Sequence, residues 1–511
     1  MLDRRCRRLA LALALGAAAC GDDIPSASDT EGSTGATSAA SSDGPVATTN
    51  VSTTSTTGPM PTTTVADDSD TGFDPPQPAC GNGFVEEGEQ CDDANAVDDD
   101  GCSNACLVPC GIDWESVTPA PTLDSTAIGV FTGVGADGTV AIAAMQQEVI
   151  ADKRGNLTIF DDVVRVRVHE STGRERWETT LTSDDGDLSV AALKVGDDGT
   201  VYVATTVPTA DGGKLIRVQA LAPRDGSSEW TVDYDGTPGE DDTATGLAIA
   251  PDGDLVVSGR VRAGDGDTDA WLRKMTAADG TEVWTTTYSG QPNNNFSVDV
   301  GGPVTVGDDG TIYMLMAEYV DFETRQATLL AYDADGTDPP LWTFAPSLPG
   351  TGQAKQHNPL EVAATDDGGV LMAFTRNVGG DAVFHVYKLD GAGAEQWSLD
   401  STWLADRMGS DYELRGLGVH AGGLVLEGRY VNDFESFESA WGEVWLVRMD
   451  NGGNETCRVT YQATARSLLP PSLGPRGAAV GPNDGVFITG ERGLEGESAI
   501  WVGRFRPPSE Q

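Results

Sequence analysis

Between residues 113 and 504 the chain alternates apolar and polar positions in short runs, and the runs recur. Each follows a glycine turn: Asp137-Gly138, Asp198-Gly199, Asp252-Gly253, Asp309-Gly310, Asp367-Gly368, Gly422-Gly423 and Asp484-Gly485. The runs themselves read TVYVAT, DLVVSG, TIYMLM or VFITG, and a period of two marks a half-buried strand. A second turn precedes Trp177, Trp230, Trp284, Trp342 and Trp397; Gly173, Gly226, Gly280 and Gly393 each stand four residues before their tryptophan. Gly453 stands four before Cys457, which takes the sixth tryptophan slot. The unit ending at Trp284 reads as four strands, TGLAIA, DLVVSGR, AWLRKM and EVWTTTY. Four short strands per unit, 56 residues per unit and seven inner turns predict an all-β, seven-bladed β-propeller. The last unit stops at Arg504 without its tryptophan strand, and Gly111–Val117 offers the missing one. The two ends of the repeat region are therefore expected to complete one blade and remove open sheet edges.

The turn-and-tryptophan pattern, clearest in His169–Trp177, resembles the PQQ-like propeller repeat over 113–504. The resemblance implies tryptophans that dock between blades, so all of them are read as structural. Quinoprotein dehydrogenases of similar fold hold pyrroloquinoline quinone with calcium, over a pair of adjacent cysteines and within eight blades. This chain has seven units and no Cys-Cys pair, so no quinone cofactor is expected. Of the four histidines, His169 and His385 fall in strand runs, and neither they, His357 nor His420 belongs to a Ser-His-Asp order or an HExxH motif. The run Asp265–Asp269 alternates carboxylates like a calcium loop, but Ala270 replaces the needed glycine and Thr276 the bidentate glutamate; a hairpin tip is expected.

Charge adds an address. The chain carries 80 acidic and 32 basic residues, a net charge of −48, which excludes nucleic acid and anionic lipid headgroups as partners and favours a soluble monomer. Residues 9–152 contain no lysine or arginine. Ahead of that gap stand Arg4, Arg5, Arg7 and Arg8, followed by the apolar run Leu9–Ala19, too short to span a bilayer but suited to an export signal over 1–19. Ala17-Ala18-Ala19-Cys20 resembles a bacterial lipobox, with Ala17 where that family usually has leucine. The resemblance implies lipidation of Cys20, with Gly21 rather than Asp after it favouring the outer membrane; an ordinary Ala-x-Ala signal is the alternative. Residues 20–78 are rich in serine and threonine, with Phe73 the single aromatic, and are expected to form a disordered tether.

Residues 79–110 concentrate cysteine. The segment Cys80-Gly81-Asn82-Gly83, then Gly88-Glu89-Gln90-Cys91-Asp92-Asp93, then Asp100-Gly101-Cys102-Ser103-Asn104-Ala105-Cys106, resembles the Myxococcus cysteine-rich repeat over 80–106, with Ala94 where that family has glycine. In an exported chain Cys80, Cys91, Cys102 and Cys106 read as disulfides, with zinc the alternative. Asp92, Asp93, Asn95 and Asp100 offer hard oxygen ligands for calcium, against the reading of a solvated acidic loop. Cys110 and Cys457 remain; as members of the outermost strands of blades seven and six they are expected to bridge.

The propeller is assigned to 111–506, with a tail at 507–511. One face carries only tight turns, whereas the other receives the long connections Met145–Asp162, Glu318–Gln326, Thr402–Tyr412 and Tyr430–Trp441. The last two carry Trp403, Arg407, Tyr412, Tyr430, Phe434, Phe437 and Trp441, a hot-spot composition for a protein or polysaccharide partner, or rings that pack the loops down. The leading expectation is a lipid-anchored, exported protein at the outer membrane or cell surface, its propeller a non-catalytic binding or assembly platform without cofactor, calcium aside. The alternative is an exported propeller enzyme: a lyase, a glycosidase or an atypical oxidoreductase. A third option resembles the PQQ-like lipoprotein that scaffolds outer-membrane protein assembly. Buried carboxyl groups with shifted pKa at the central channel favour the enzyme; an aromatic loop face over a bland channel favours the platform.

Overall fold

The computed structural model describes residues 110–119, 126–147, 149–151, 157–159, 163–262, 267–290, 298–320, 324–348, 357–378, 381–408, 412–430, 443–462, 474–494 and 497–507. The described residues open with β1 (Ile112–Pro119). Blade one comprises β2 (Thr126–Val134), β3 (Val140–Gln147), β6 (Val163–His169) and β7 (Glu175–Leu181), with the hairpin β4 (Val149–Ala151) and β5 (Leu157–Ile159) between its second and third strands. Blade two is β8 (Ser189–Val195), β9 (Val201–Pro208), β10 (Lys214–Leu221) and β11 (Ser228–Tyr234). Blade three is β12 (Thr243–Ile249), β13 (Leu255–Arg262), β14 (Thr268–Met275) and β15 (Glu282–Tyr288). Blade four is β16 (Asp299–Val306), β17 (Ile312–Tyr319), β18 (Arg325–Tyr332) and the short β19 (Trp342–Phe344). Blade five is β20 (His357–Ala364), β21 (Val370–Val378), β22 (Asp381–Leu389) and β23 (Glu395–Asp400). Helix α1 (Ser401–Met408) leads to blade six, β24 (Tyr412–His420), β25 (Gly423–Tyr430), β26 (Glu443–Asp450) and β27 (Glu455–Gln462). Blade seven joins β28 (Gly474–Val480), β29 (Val486–Leu494) and β30 (Glu497–Phe505) to β1, in the order β1-β30-β29-β28.

The fold is thus the expected seven-bladed propeller, closed by pairing of the first strand with the last. Hydrogen bonds clamp the closure: Arg506 N donates to Gly111 O at 3.0 Å, and Trp501 Nε1 and Tyr461 Oη both donate to Glu115 Oε2, at 2.7 and 2.6 Å. Burial follows position in the blade. Val201–Val207 of β9 is buried throughout because blades pack against both of its faces, whereas β11 at the rim exposes alternate residues. Apolar clusters accordingly lie between blades, as where Val166 and Val168 of blade one meet Leu193 and Val203 of blade two.

A repeated contact locks the rim. Trp177 donates its indole N–H to Pro223 O in blade two at 3.0 Å and lies flat against Gly226, where a Cβ would stand 2.6 Å from the ring. Trp230 repeats this on Ala277 O and Gly280, Trp284 on Ala334 O and Gly336, Trp342 on Gly391 O and Gly393, and Trp397 on Asn451 O and Gly453. Trp114 of β1 docks on Ser171 O and Gly173, linking blade seven to blade one. The remaining junction, blade six to blade seven, carries the Cys110–Cys457 disulfide, with Cα atoms 6.5 Å apart. Cys110 stands four residues before Trp114, the position of the docking glycine elsewhere, and shares its left-handed backbone with φ 58°. The bridge replaces the tryptophan–glycine dock at the one blade whose third and fourth strands are not joined by a turn.

Candidate functional site in the central channel

The seven inner strands, β2, β8, β12, β16, β20, β24 and β28, line an axial cavity of about 850 Å³. Each slips register against its neighbour at one level: at Ile128/Val130, Val190/Ala192, Ala244/Gly246, Gly301/Val304, Pro359/Glu361, Leu414/Gly416 and Pro475/Gly477. A bulge re-aims the skipped residue, and the ring of bulges brings Ala191, Thr245, Pro303, Leu360 and Arg415 to the cavity wall.

Most of the wall is small or aliphatic, and against it the charged groups stand out. Lys194 of β8, Arg325 of β18, Glu361 of β20 and Arg415 of β24 line the cavity. Burial pushes the Glu361 carboxyl above the usual carboxylate range, with the Lys194 ammonium opposing. Arg325 is held by neutral oxygens, donating to His357 O at 3.0 Å and to Asn358 Oδ1. Arg415 donates to Glu413 Oε2 at 2.5 Å.

Behind Arg415 lies Glu427, fully buried, with no hydrogen-bond partner for either carboxylate oxygen among the described residues. Burial pushes its pKa up to about 8; the Arg415 charge opposes this and the Glu361 charge adds to it. Its position explains its oddity. The residue after each bulge pairs with a second-strand residue, and these partners are Ala144, Ala204, Ser258, Met314, Ala373, Glu427 and Thr489. Where the post-bulge residue is glycine, the partner's side chain takes the vacated space. A Cβ on Gly246 would meet Ser258 Oγ at 2.5 Å, and one on Gly416 would meet Glu427 Oε1 at 2.2 Å. Ser258 Oγ donates across to Gly302 O of the next blade at 2.6 Å, and Thr489 Oγ1 reaches Thr132 Oγ1 at 2.5 Å. Glu427 fills the same slot with an ionisable group that has no such partner, and a buried carboxyl of this kind calls for an explanation beyond packing.

Beside Arg325, His357 and His385 stack on the two sides of Phe374, at 4.9 and 5.2 Å between ring centroids. Arg376 Nε donates to His385 Nε2 at 3.0 Å. Burial, then the Arg376 charge, lowers both imidazole pKa values to about 4, so both rings are neutral at pH 7.

The aromatic loop face is not assembled by the described residues. Trp403 lies on α1, half-buried against the apolar cluster of blades five and six that includes Leu404 and Trp445, so it packs the helix down. The backbone places Arg407 on α1, Tyr412 at the start of β24 and Tyr430 at the end of β25. Phe434, Phe437 and Trp441 lie outside the described residues, as do Cys20, Cys80, Cys91, Cys102, Cys106 and the calcium candidates Asp92, Asp93, Asn95 and Asp100. Among the described residues no three His, Cys, Asp or Glu side chains converge on a point that could hold a metal ion. The sequence pattern alone does not single out Lys194, Arg325, Glu361, Arg415 or Glu427. A signal for the last existed: Glu427-Gly428-Arg429 aligns in its blade with Ser258-Gly259-Arg260, placing a carboxyl where the repeat buries a hydroxyl.

Solved structures align with the chain at low identity. A protein of unknown function from Dyadobacter fermentans DSM 18053 aligns with 10% identity and a TM-score of 0.42, covering 78% of this chain and 98% of its own. The polysaccharide lyase Uly1 aligns with 11% identity and a TM-score of 0.45, covering 78% and 99%. The quinohemoprotein alcohol dehydrogenase ADHIIG from Pseudomonas putida HK5 aligns with 12% identity and a TM-score of 0.39, covering 78% and 77%. No curated protein sequence matches the chain. Residues 74–107, which include the cysteine segment, match a domain of unknown function, DUF4215. Residues 114–382, more than half of the chain, match the PQQ_2 model, described as outer membrane protein assembly factor BamB, and the chain belongs to that family of propellers.

Proposed function

We propose that this chain is an exported, lipid-anchored surface protein whose propeller serves as a binding or assembly platform for a protein or polysaccharide. The observation that carries the reading is the closed, disulfide-bridged ring, belonging to a family described by outer-membrane protein assembly. Pairing of the first strand with the last leaves only the short edges of the blades. The acidic, basic-free tether ahead of it supports a position beyond a membrane, as does the lipobox-like Ala17–Cys20. The test is twofold. Metabolic labelling with a fatty acid should mark the wild type and not Cys20→Ser. Photo-crosslinking on intact cells of the parent organism should then capture a defined partner through exposed long-connection positions such as Thr402. Absence of lipid, or capture independent of those positions, removes the reading.

One observation favours the enzymatic alternative: the channel is not bland. Glu361 and Glu427, two carboxyl groups with raised pKa, lie at and just behind its wall. A carboxyl whose pKa is raised, as at Glu427 to about 8, is suited to general-acid work. Turnover of an acidic polysaccharide by the wild type, lost in Glu361→Gln with the fold intact, would establish it.

A further inference from the structure

The chain as a whole carries 80 acidic and 32 basic residues, yet the cavity lining reverses the balance, with Lys194, Arg325 and Arg415 against Glu361, Arg415 sharing its charge with the Glu413 carboxylate at 2.5 Å. The three cations come from blades two, four and six, around the ring rather than along one strand. By strand register they also differ in depth. Arg415 sits at the bulge level, Arg325 at the start of its strand on the long-connection side, and Lys194 two residues beyond the post-bulge Ala192, toward the tight turns. The oxygens that hold Arg325, on His357 and Asn358, are neutral. His357 is itself uncharged near neutral pH and adds no cation that a carboxylate partner would have to cancel. A narrow, low-dielectric wall concentrates the field of such charges and draws anions in.

The remaining polar groups narrow the ligand. Glu361, Asn358 and Thr245 supply acceptors and hydroxyls suited to alcohol groups. The cavity, about 850 Å³, is of the size that holds a ligand of a few rings.

We propose that the central channel is a binding seat for a short chain of sugar acids, whose carboxylates face Lys194, Arg325 and Arg415 and whose hydroxyls face Glu361, Asn358 and Thr245. This seat is separate from the surface platform, and a failed partner capture leaves it untouched. The experiment is calorimetric titration of the full chain with trigalacturonate, with maltotriose as the neutral trimer of similar size and with pyrophosphate. Trigalacturonate is expected to bind, more weakly as salt rises toward 0.5 M, roughly as screening dictates. Arg325→Met and Arg415→Met should each raise Kd at least about tenfold, as for a lost hydrogen bond to a charged group. Lys194 is exposed, so Lys194→Met will fold and should weaken binding several-fold, keeping the proposal testable if an arginine variant does not fold. Three results overturn it: no binding of trigalacturonate, equal binding of maltotriose or tighter binding of pyrophosphate, or unchanged affinity in folded Lys194→Met and Arg325→Met.

Discussion

Glu427 is the residue at which the repeat departs furthest from its own rule. Six other blades put Ala, Ser, Thr or Met opposite the post-bulge position, all uncharged, and the seventh puts a carboxyl there. With its pKa pushed up to about 8, the folded protein holds the proton that the unfolded chain releases near its ordinary value of 4.5. The sign follows from linkage. Between those two values the folded state binds more protons, so its stability falls as pH rises, and it levels off above about 8. Glu427→Gln keeps the shape and removes the titration. The variant should match the wild type near pH 4.5 and exceed it by about 3 kcal/mol at pH 7, at about 1.4 kcal/mol per pKa unit. Urea unfolding at both pH values reads the difference, and parallel pH profiles for the two proteins would show that the carboxyl does not titrate as described.

At the scale of elements, the rim contact separates two costs that glycine usually merges. Gly226 and Gly253 both have left-handed backbones, with φ 70° and 88°, but only Gly226 lies under a tryptophan; a Cβ on Gly253 meets nothing within 4 Å. Gly253→Ala should cost about 1–2 kcal/mol from backbone strain, and Gly226→Ala clearly more, because Trp177 must also move. Equal urea midpoints for the two would show the dock to be loose. The disulfide junction can be tested by converting it into the dock it replaces. Cys110→Ser with Cys457→Ser should lose about 2–5 kcal/mol, as for a native bridge closing a long loop. Cys110→Gly with Cys457→Trp should regain part of that loss, and a double variant no more stable than the serine pair would refute the equivalence. Blade count, closure and the Cys110–Cys457 pairing were legible in the sequence because a strand's period and a turn's glycine are local signals. The channel charges were not, since Lys194, Arg325, Glu361 and Arg415 come from four blades and meet only when the ring closes. The helix at Ser401–Met408 is not distinguishable from irregular loop in the sequence, because eight residues between strands carry too short a period.

Over the whole molecule, ionisable groups sealed between blades set limits on both sides of neutrality. His169, His357 and His385 are nearly fully buried, each with its pKa lowered from 6.5 to about 4. Burial is the larger cause in all three. The Arg167 charge adds at His169; Arg376 and Arg325 add at His357; Arg376 and His357 add at His385, where Asp400 opposes. A base whose pKa falls on folding gives stability that is complete above its unfolded value and is lost as pH drops through its folded one. The three together should therefore make the propeller lose stability between pH 6.5 and 4, the window in which Glu427 regains it. Three groups outweigh one, so the melting temperature should fall on acidification, steepest toward pH 4. His385 and His357 share Phe374 and Arg376, so charging one raises the cost of charging the other. The double variant His357→Gln with His385→Gln removes both titrations and should flatten the acid limb of a calorimetric profile by more than either single change. Its melting temperature at pH 7 will be lower because the stack on Phe374 is lost, so the slope between pH 6.5 and 4, rather than the absolute value, decides. An acid limb as steep as that of the wild type would place the acid lability elsewhere, in the carboxylates that pair with arginine at the rim, such as Glu178, where the effect of burial is outweighed by Arg167 and Arg165, which lower the pKa.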